Sequence, residues 1–307
     1  MAPFPSATRT WHSTSYPSIS PTKPSLSAKG KAVLITGGGT GIGAETARSF
    51  AVAGASRIAL LGRRTQPLLD TKAAIEREYG QTTKVFVAST DVTKQSEVDA
   101  AFEKFVSTNS DSGTKSTIDI DILVSNAAAT GPFEGVEDVD PMDFLNGVNI
   151  NLGGALHVAQ AFSRFAAPDA VIIDVNSNAA HVNYGPRFAS YSIAKLAVFR
   201  LWDMVGFANP RWSVFHIQPG VVDTEMNRAA GGVKAVGYED HVSLPGSFNV
   251  WLASSEARFL RGKYLYANWD VDELKQRGGE LEQGTELSLG LVGWPFDTEG
   301  WQSKWRA

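Results

Sequence analysis

The segment NSNAAHVNYGPRFASYSIAK, residues 176–195, contains a tyrosine and a lysine four positions apart, Tyr191 and Lys195. Residues with this spacing lie on one face of a helix. A phenol is a weak acid with a pKa of about 10, and a nearby ammonium group favours its ionised form. The pair could therefore donate and recover a proton at a substrate oxygen. The same spacing also occurs on exposed helices without function. Whether the pair is catalytic therefore depends on the elements that surround it.

Two polar residues precede Tyr191 at a distance suited to a third functional group. Ser177 lies fourteen positions before the tyrosine and Asn178 thirteen. At the end of a strand, either side chain could donate to a substrate oxygen and hold it against the tyrosine. Spacing alone leaves both open. The loop at 179–188 adds three candidates for the substrate pocket, each of which could equally be a packing residue: His181, Tyr184 and Phe188.

From Lys31 onward the chain alternates between strand-like and helix-like segments. Six apolar runs predict strands: residues 32–38, 57–62, 84–89, 119–126, 170–176 and 213–220. Helical segments lie between them: residues 42–54, 66–79, 94–108, 141–166 and 188–208. Such alternation indicates parallel strands joined by helical crossovers. The predicted fold class is α/β, a doubly wound parallel sheet with helices on both faces, in a single domain.

A glycine-rich stretch, TGGGTGIG at residues 36–43, stands between the first predicted strand and the first predicted helix. Gly37, Gly41 and Gly43 permit a tight turn and let the backbone approach a pyrophosphate. The helix that begins there offers free N–H groups and the positive end of its dipole to phosphates. Although glycine-rich turns are common, this context predicts a dinucleotide-binding site.

The second predicted strand ends in LLGRR. A dinucleotide site that prefers NAD(H) places an acidic side chain here to hold the ribose 2′-hydroxyl. This chain has Gly62 instead, followed by Arg63 and Arg64. A guanidinium binds a 2′-phosphate through charge-assisted hydrogen bonds. We therefore predict NADP(H) as the cofactor in preference to NAD(H), with a surface role as the alternative, above all for Arg64.

Bulk properties argue against several other kinds of site. A formal net charge of −4 gives no electrostatic reason to expect nucleic acid or an anionic membrane as a partner. The absence of cysteine excludes disulfides, thiolate metal sites and cysteine nucleophiles. The five histidines show no metal-ligand spacing. No apolar run approaches the roughly 18 residues of a membrane span.

The two ends of the chain differ from its middle. Residues 1–28 include five prolines and no apolar stretch of the kind that a secretory signal needs. We interpret them as an extended arm over the domain and expect a cytoplasmic protein. The predicted domain covers residues 29–267. Residues 268–307 form an extension expected to pack on the domain or on a partner subunit, and it carries Trp294, Trp301 and Trp305.

In their order and spacing, these motifs resemble those of the short-chain dehydrogenase/reductase family, and its fungal members in particular. The resemblance spans about residues 30–267 and implies a Rossmann-type sheet. The matching motifs are TGxxxGIG at 36–43, Asp91 with Val92, SNAA at 125–128, NLGG from Asn151, YxxxK at 191–195, and PG at 219–220 with Thr224. One departure is that SNAA replaces an NNAG-like turn, with Ser125 and Ala128 at the changed positions.

The resemblance also implies roles for these residues. Tyr191 acts as general acid and base with Lys195, and Asn151 anchors a water that connects the lysine to solvent. Fungal members with similar strand ends use the serine, which favours Ser177 over Asn178. Contacts to the cofactor are implied for Gly37, Thr40, Gly41, Ile42, Gly43, Arg63, Arg64, Asp91, Val92, Asn126, Ala127, Tyr191, Lys195, Pro219, Gly220, Val222 and Thr224.

The resulting hypothesis is an NADP(H)-dependent oxidoreductase that interconverts a ketone or aldehyde and an alcohol, with a secondary-metabolite ketone as one candidate substrate. Residues 227–244 are expected to form a lid over the substrate. The resemblance implies a homodimer or homotetramer formed through 141–166 and 188–208. One alternative is a cofactor-binding regulator or scaffold without redox activity. Another is a dehydratase, epimerase or cyclase on the same fold.

Overall fold

The computed structural model describes residues 3–107, 119–183 and 185–291, and at its centre is a seven-stranded sheet. The strands are β1 (Ala32–Thr36), β2 (Arg57–Gly62), β3 (Lys84–Ser89), β4 (Ile120–Ser125), β5 (Ala166–Val175), β6 (Ser213–Gln218) and β7 (Tyr264–Tyr266). Their order is β3-β2-β1-β4-β5-β6-β7, and neighbouring strands run parallel. The chain reverses its direction of winding between β1 and β4, and ligands bind beside such a point at the carboxyl ends of the strands.

Helices cover both faces of this sheet, which confirms the predicted fold class and the single domain. They are α1 (Gly41–Val52), α2 (Thr65–Tyr79), α3 (Gln95–Ser107), α4 (Pro141–Phe165), α5 (Ala189–Ala208), α6 (Glu225–Ala229), α7 (Gly232–Val236), α8 (Ser243–Ala253), α9 (Val271–Gln276) and α10 (Gly278–Gln283). Within the described ranges, none of them is long and apolar enough to cross a membrane.

The residues of β1 alternate between two hydrophobic cores, because successive side chains of a strand point to opposite faces of the sheet. Val33 and Ile35 pack with α1, α2 and α8, whereas Ala32 and Leu34 pack with α3, α4 and α5. All of β1 is buried. A strand buried on both faces has an unbroken apolar sequence, and such runs are what predicted this sheet.

The elements absent from the sequence-based prediction include β7 and α8, both of which lie in the hydrophobic core. β7 has three residues, which is too short for a pattern to emerge. Every residue from Leu244 to Leu252 of α8 is buried, so the helix has no polar face and no amphipathic periodicity. Leu244 is fully buried. The predicted lid, residues 227–244, therefore cannot include Leu244 as a mobile residue.

Both segments that flank the predicted domain pack into its hydrophobic core. Ile19 and Leu26 lie in the same core as α8, and so does Leu274 of α9. Trp11 forms an isolated antiparallel bridge with Trp269. The division into arm, domain and extension stays a prediction, since all three share this core. The tryptophans of the predicted extension, Trp294, Trp301 and Trp305, lie outside the described residues.

A half-buried carboxylate ties the N-terminal arm to the rest of the molecule. Glu256 accepts hydrogen bonds from Lys23, at 2.8 Å, and from Ser25, and it also pairs with Lys275 of α9. Burial opposes the ionisation of Glu256, but these donors outweigh it and lower the pKa of the carboxyl to about 2. The arm is therefore held by charge as well as by apolar contact.

Candidate active site

The glycine-rich turn between β1 and α1 is built without room for side chains. A Cβ at Gly43 would lie 2.1 Å from the carbonyl oxygen of Gly37, and Gly41 has a φ of +53°. The first hydrogen bond of α1 runs from Ala44 N to Thr40 O, at 3.3 Å. Within the described part of the chain, the side chain of Thr40 does not cap the helix. The amide groups at the start of α1 are therefore free to bind an anion.

The turn is fixed to the end of β4 by two residues of the SNAA motif. The backbone amides of Asn126 and Ala127 donate to Thr36 Oγ1, at 2.9 and 3.0 Å. Asn126 Nδ2 donates in return to the carbonyl oxygens of Thr36, at 3.0 Å, and Gly37, at 3.3 Å. The side chain of Asn126 thus supports the glycine turn, and the departures from the family's motif leave this link intact.

The predicted contacts for the adenosine end lie beyond β2 and β3. The Asp91 carboxylate accepts from the hydroxyl of Thr93, at 2.8 Å, and from its amide, at 3.0 Å, and these bonds lower the pKa of Asp91. The Val92 carbonyl hydrogen-bonds to His157 Nδ1 of α4, at 2.9 Å. The loop after β3 is therefore held by hydrogen bonds between Asp91 and Thr93 within the loop, and by the bond from Val92 to α4.

The two arginines after β2 have different surroundings. Arg64 makes a bidentate contact with Glu225, the first residue of α6, with 3.0 Å between Nη1 and Oε1. Arg63 instead contributes its carbonyl oxygen, which accepts from Ser89 Oγ at 3.0 Å. Both guanidinium groups were predicted to meet a 2′-phosphate. That of Arg64 is paired with the Glu225 carboxylate instead.

Tyr191 and Lys195 lie in the first turns of α5, as their spacing predicted. Lys195 Nζ is 5.8 Å from the centroid of the Tyr191 ring. It also donates to the carbonyl oxygen of Val175, at 2.9 Å, and Lys195 is only 4% exposed. The ammonium group is therefore held at the end of β5, beside the tyrosine.

Ser177 and Asn178 follow β5 but differ in accessibility. Ser177 is partly exposed, and its Oγ accepts from the amide of Ala179, at 3.2 Å. Asn178 is 1% exposed, and its amide donates to Gln218 Oε1 at 2.8 Å. The serine is thus the more open of the two at this end of the sheet.

Asn151 lies buried in α4, and its side chain is committed to backbone groups. Its Nδ2 donates to the carbonyl oxygens of Ala129 and Gly147, both at 2.9 Å. Its Oδ1 accepts from the amide of Ala129, at 3.1 Å. The side chain therefore fixes the loop after β4 to α4, and both hydrogens of its amide group are committed there.

A buried polar network behind Ser177 and Lys195 was not predicted. Asn176 Nδ2 donates to Asp174 Oδ2, at 2.6 Å, and to the carbonyl oxygen of Lys195, at 3.1 Å. Asn176 Oδ1 accepts from the amide of Ser177, at 2.8 Å. Asp174 also hydrogen-bonds to His216 Nδ1, at 3.0 Å. The available signal was that polar residues interrupt the apolar runs of β5 and β6.

The turn after β6 is held by a second network that the sequence did not reveal. Gly220 has a φ of +94°, and the next amide, that of Val221, donates to Asp240 Oδ2 at 2.7 Å. Asp240 Oδ1 accepts from Asn268 Nδ2, at 2.9 Å. Burial raises the pKa of Asp240. Pro219 and Val222 flank this turn, and Thr224 Oγ1 caps α6 by accepting from the amide of Asn227.

The predicted pocket residues lie near the same end of the sheet. His181 Nε2 is 3.2 Å from the hydroxyl of Tyr266, and the ring of Phe188 packs edge-on against Phe133. Tyr184 lies outside the described residues. No cluster of three or more side chains suited to a metal ion occurs in the ranges that the structure describes.

Comparison with known proteins assigns this arrangement to a family. A family model described as short chain dehydrogenase matches residues 31–232. A short chain dehydrogenase/reductase of Claviceps purpurea (strain 20.1) is 32% identical over 294 residues, which cover 94% of this chain and 95% of the relative.

Solved structures agree in fold. A short chain dehydrogenase of Shigella flexneri 2a strain 301, complexed with NADP, has a TM-score of 0.69 at 20% identity and covers 80% of this chain and 99% of its own. NAD⁺-bound xylitol dehydrogenase has a TM-score of 0.66 at 25% identity, covering 78% and 98%. The chain therefore belongs to the short-chain dehydrogenase/reductase family, as an oxidoreductase that acts on CH–OH groups.

Proposed function

We propose that this oxidoreductase interconverts a ketone or aldehyde and an alcohol, with NADP(H) as its cofactor. The observation that carries the proposal is the position of Lys195 Nζ, 5.8 Å from the Tyr191 ring at the carboxyl end of the sheet. An acid/base candidate with a positive charge beside it, at the end of β5, supports the proposal because ligands bind at the carboxyl ends of the strands in such folds.

The glycine turn fits the phosphates of a dinucleotide. The uncapped amides at the start of α1 supply donors, and the missing Cβ at Gly43 permits the close approach. We propose further contacts from Asp91, Val92, Asn126 and Ala127 on the adenosine side, and from Pro219, Gly220, Val222 and Thr224 on the nicotinamide side. When bound, the cofactor supplies or accepts the hydride.

The preference for NADP(H) rests on charge at the end of β2. Gly62 occupies the place of the acid that NAD(H) sites use, and Arg63 and Arg64 follow it. A guanidinium offers two parallel N–H donors to a phosphate, whereas an acid would repel it. Solved relatives include both an NADP complex and an NAD⁺ complex, so the family alone does not decide.

Proton transfer is assigned to Tyr191. During reduction the substrate oxygen gains negative charge, and the Tyr191 hydroxyl donates a proton to it. The Lys195 ammonium then stabilises the phenolate that remains, because opposite charges at close range favour the ionised form. Its bond to the carbonyl oxygen of Val175 keeps the ammonium in place.

Ser177 is proposed to position the substrate oxygen, since Asn178 is almost fully buried. A donor fixed before the reaction stabilises developing charge without reorganisation. Asn151 has its side chain occupied by Ala129 and Gly147. Asn151 is proposed to anchor a water that connects Lys195 to solvent, and because both hydrogens of its side-chain amide are committed, that water would donate to an oxygen of Asn151.

A homodimer or homotetramer is proposed on the surfaces of α4 and α5. These two helices expose large apolar side chains, which in a monomer would lie in water. They are Met142, Leu145, Leu156, Ile193, Leu196, Met204 and Phe207.

The similarity to fungal relatives leads us to propose a secondary-metabolite carbonyl as the substrate.

The proposal is tested by titrating the protein with NADPH and NADH and by replacing Tyr191. Energy transfer from the eight tryptophans to the nicotinamide reports binding. Tyr191→Phe should abolish carbonyl reduction and leave NADPH binding intact, because only the proton donor is lost. Full activity in this variant would overturn the assignment. Ser177→Ala should cost more rate than Asn178→Ala, and the reverse would transfer the role to Asn178.

A further inference from the structure

The ion pair between Arg64 and Glu225 joins two distant parts of the chain. Arg64 lies just after β2, and Glu225 begins α6, at the start of the segment after β6. Nη1 of the guanidinium donates to Oε1 of the carboxylate, at 3.0 Å, and Nη2 donates to Oε2. This parallel two-bond geometry is also how a guanidinium binds a phosphate. The Glu225 carboxylate thus holds Arg64 as a phosphate would.

The segment that carries Glu225 lies against the glycine turn, which is the site proposed for the cofactor's phosphates. Thr224, next to Glu225, lies against Gly41 at the start of α1, where an added Cβ would come within 3.0 Å of Thr224 Cγ2. The chain at residues 224–225 therefore passes over the glycine turn and then reaches Arg64. A dinucleotide that lies along the turn meets this contact at its adenosine end.

We infer that Glu225 is a specificity-determining residue, whose carboxylate occupies Arg64 until the 2′-phosphate of NADP(H) displaces it. The inference rests on the proposed binding of a dinucleotide at the glycine turn. NAD(H) carries no phosphate at this position and leaves the pair in place. Glu225 therefore weakens binding of NADP(H) selectively.

The charges around Glu225 allow this exchange. Arg64 and Glu225 are 58% and 65% exposed, so water can hydrate the carboxylate once it is released. Arg228, one turn further along α6, adds to the lowering of the pKa of Glu225, which Arg64 dominates. The released carboxylate thus stays ionised beside Arg228. An exposed ion pair is weak, and a phosphate with more charge can compete with it.

The same segment offers a matched control. Asp223 pairs with Arg228 through two hydrogen bonds, at 2.8 and 3.0 Å, and it is also exposed. Asp223→Asn removes one negative charge two positions from Glu225 but does not touch Arg64. Any effect of general charge on a phosphorylated ligand should therefore appear in both variants. An effect through Arg64 should appear only in Glu225→Gln.

The test measures dissociation constants of NADPH, NADH, adenosine 2′,5′-bisphosphate and 5′-AMP for the wild type and both variants. Glu225→Gln should tighten NADPH and the bisphosphate by about threefold, within the range for an exposed ion pair. NADH and 5′-AMP should not change. In an Arg64→Gln background, Glu225→Gln should have no further effect, because the two residues act through one contact.

Three results would overturn the inference: unchanged NADPH affinity in Glu225→Gln, equal tightening in Asp223→Asn, or weakened NADH binding in Glu225→Gln. The last would mean that Glu225 holds the ribose hydroxyl. If the wild type binds neither NADPH nor NADH, the proposed cofactor site itself fails. If NADPH binds and Glu225→Gln leaves its affinity unchanged, only the role of Glu225 fails.

Discussion

Asn176→Ala should lower both the stability and the turnover of the protein. Asn176 bonds to Asp174, to the carbonyl oxygen of Lys195 and to the amide of Ser177, and it is 3% exposed. A buried polar group that loses its partner costs about 1–3 kcal/mol. Asp174 keeps its bond to His216. We therefore expect a loss of about 3 kcal/mol in the free energy of unfolding, mostly from the other two groups.

The expected kinetic effect follows from the same bonds. Ser177 and Lys195 are joined through Asn176, so alanine lets them drift apart, and a small misplacement of such groups can cost about 10- to 100-fold in rate. NADPH binding should weaken less than turnover falls, because Lys195 is the one expected cofactor contact among the residues that Asn176 holds. Urea unfolding followed by tryptophan fluorescence gives the stability, and steady-state reduction of a carbonyl substrate gives kcat.

Asn249→Ala is the control for a purely structural effect. Asn249 is fully buried in α8, and its Nδ2 donates to Thr46 Oγ1 of α1, at 2.9 Å. This variant should lose stability and keep its kcat in conditions where it stays folded. The reasoning is refuted if Asn176→Ala retains full kcat, or if both variants lose kcat in proportion to their stability.

Three further variants test other parts of the account. Gly43→Ala should weaken NADPH binding in the fluorescence titration by more than about tenfold, or 1.4 kcal/mol, since its Cβ overlaps the backbone of the turn. Glu256→Gln should lower unfolding stability at pH 7 by about 1 kcal/mol, because solvent screens ion pairs near the surface. The pKa of Glu256 falls from 4.5 to about 2 on folding, so the difference from wild type in urea unfolding should vanish as the pH drops through this range. Phe207→Glu, at a side chain that is 71% exposed on α5, should reduce the mass found by analytical ultracentrifugation.

Each of these variants has a counterpart in the chain. Gly279→Ala adds a Cβ in open space and should leave NADPH binding unchanged. Val136→Glu places the same charge on an apolar residue of similar exposure (66%) outside α4 and α5 and should not change the mass. For Glu256→Gln, a difference from wild type that persists well below pH 2, where the carboxyl is protonated in both states, would show that the carboxylate charge does not account for the lost stability.

The architecture was predictable because its signals are local. Strands buried on both faces give apolar runs, and the glycine turn lies where one such run meets a helical pattern. The spacing of Tyr191 and Lys195 likewise depends only on helix geometry. By contrast, α8 has no polar face, and β7 is only three residues long, so neither gives a periodic signal.

The supporting networks were not predictable because they depend on which strands are neighbours. Asp174 and His216 are separated by 42 positions in sequence, yet the register of β5 and β6 places them opposite each other. In the sequence, each residue only interrupts an apolar run, and neither interruption indicates the other residue as its partner. The contact of Arg64 with Glu225 spans 161 positions and depends equally on the fold.

Support for the proposed nicotinamide end of the site extends beyond the predicted domain. Val221, in the turn after β6, is held by Asp240, and Asp240 is held by Asn268. Asn268 in turn exchanges hydrogen bonds with the backbone of His12, at 2.8 Å each. Burial raises the pKa of Asp240, and the hydrogen bonds from Val221 and Asn268 oppose that rise. The N-terminal arm and the residues after 267 therefore contribute to the geometry of the turn, without belonging to the motifs that identify the family.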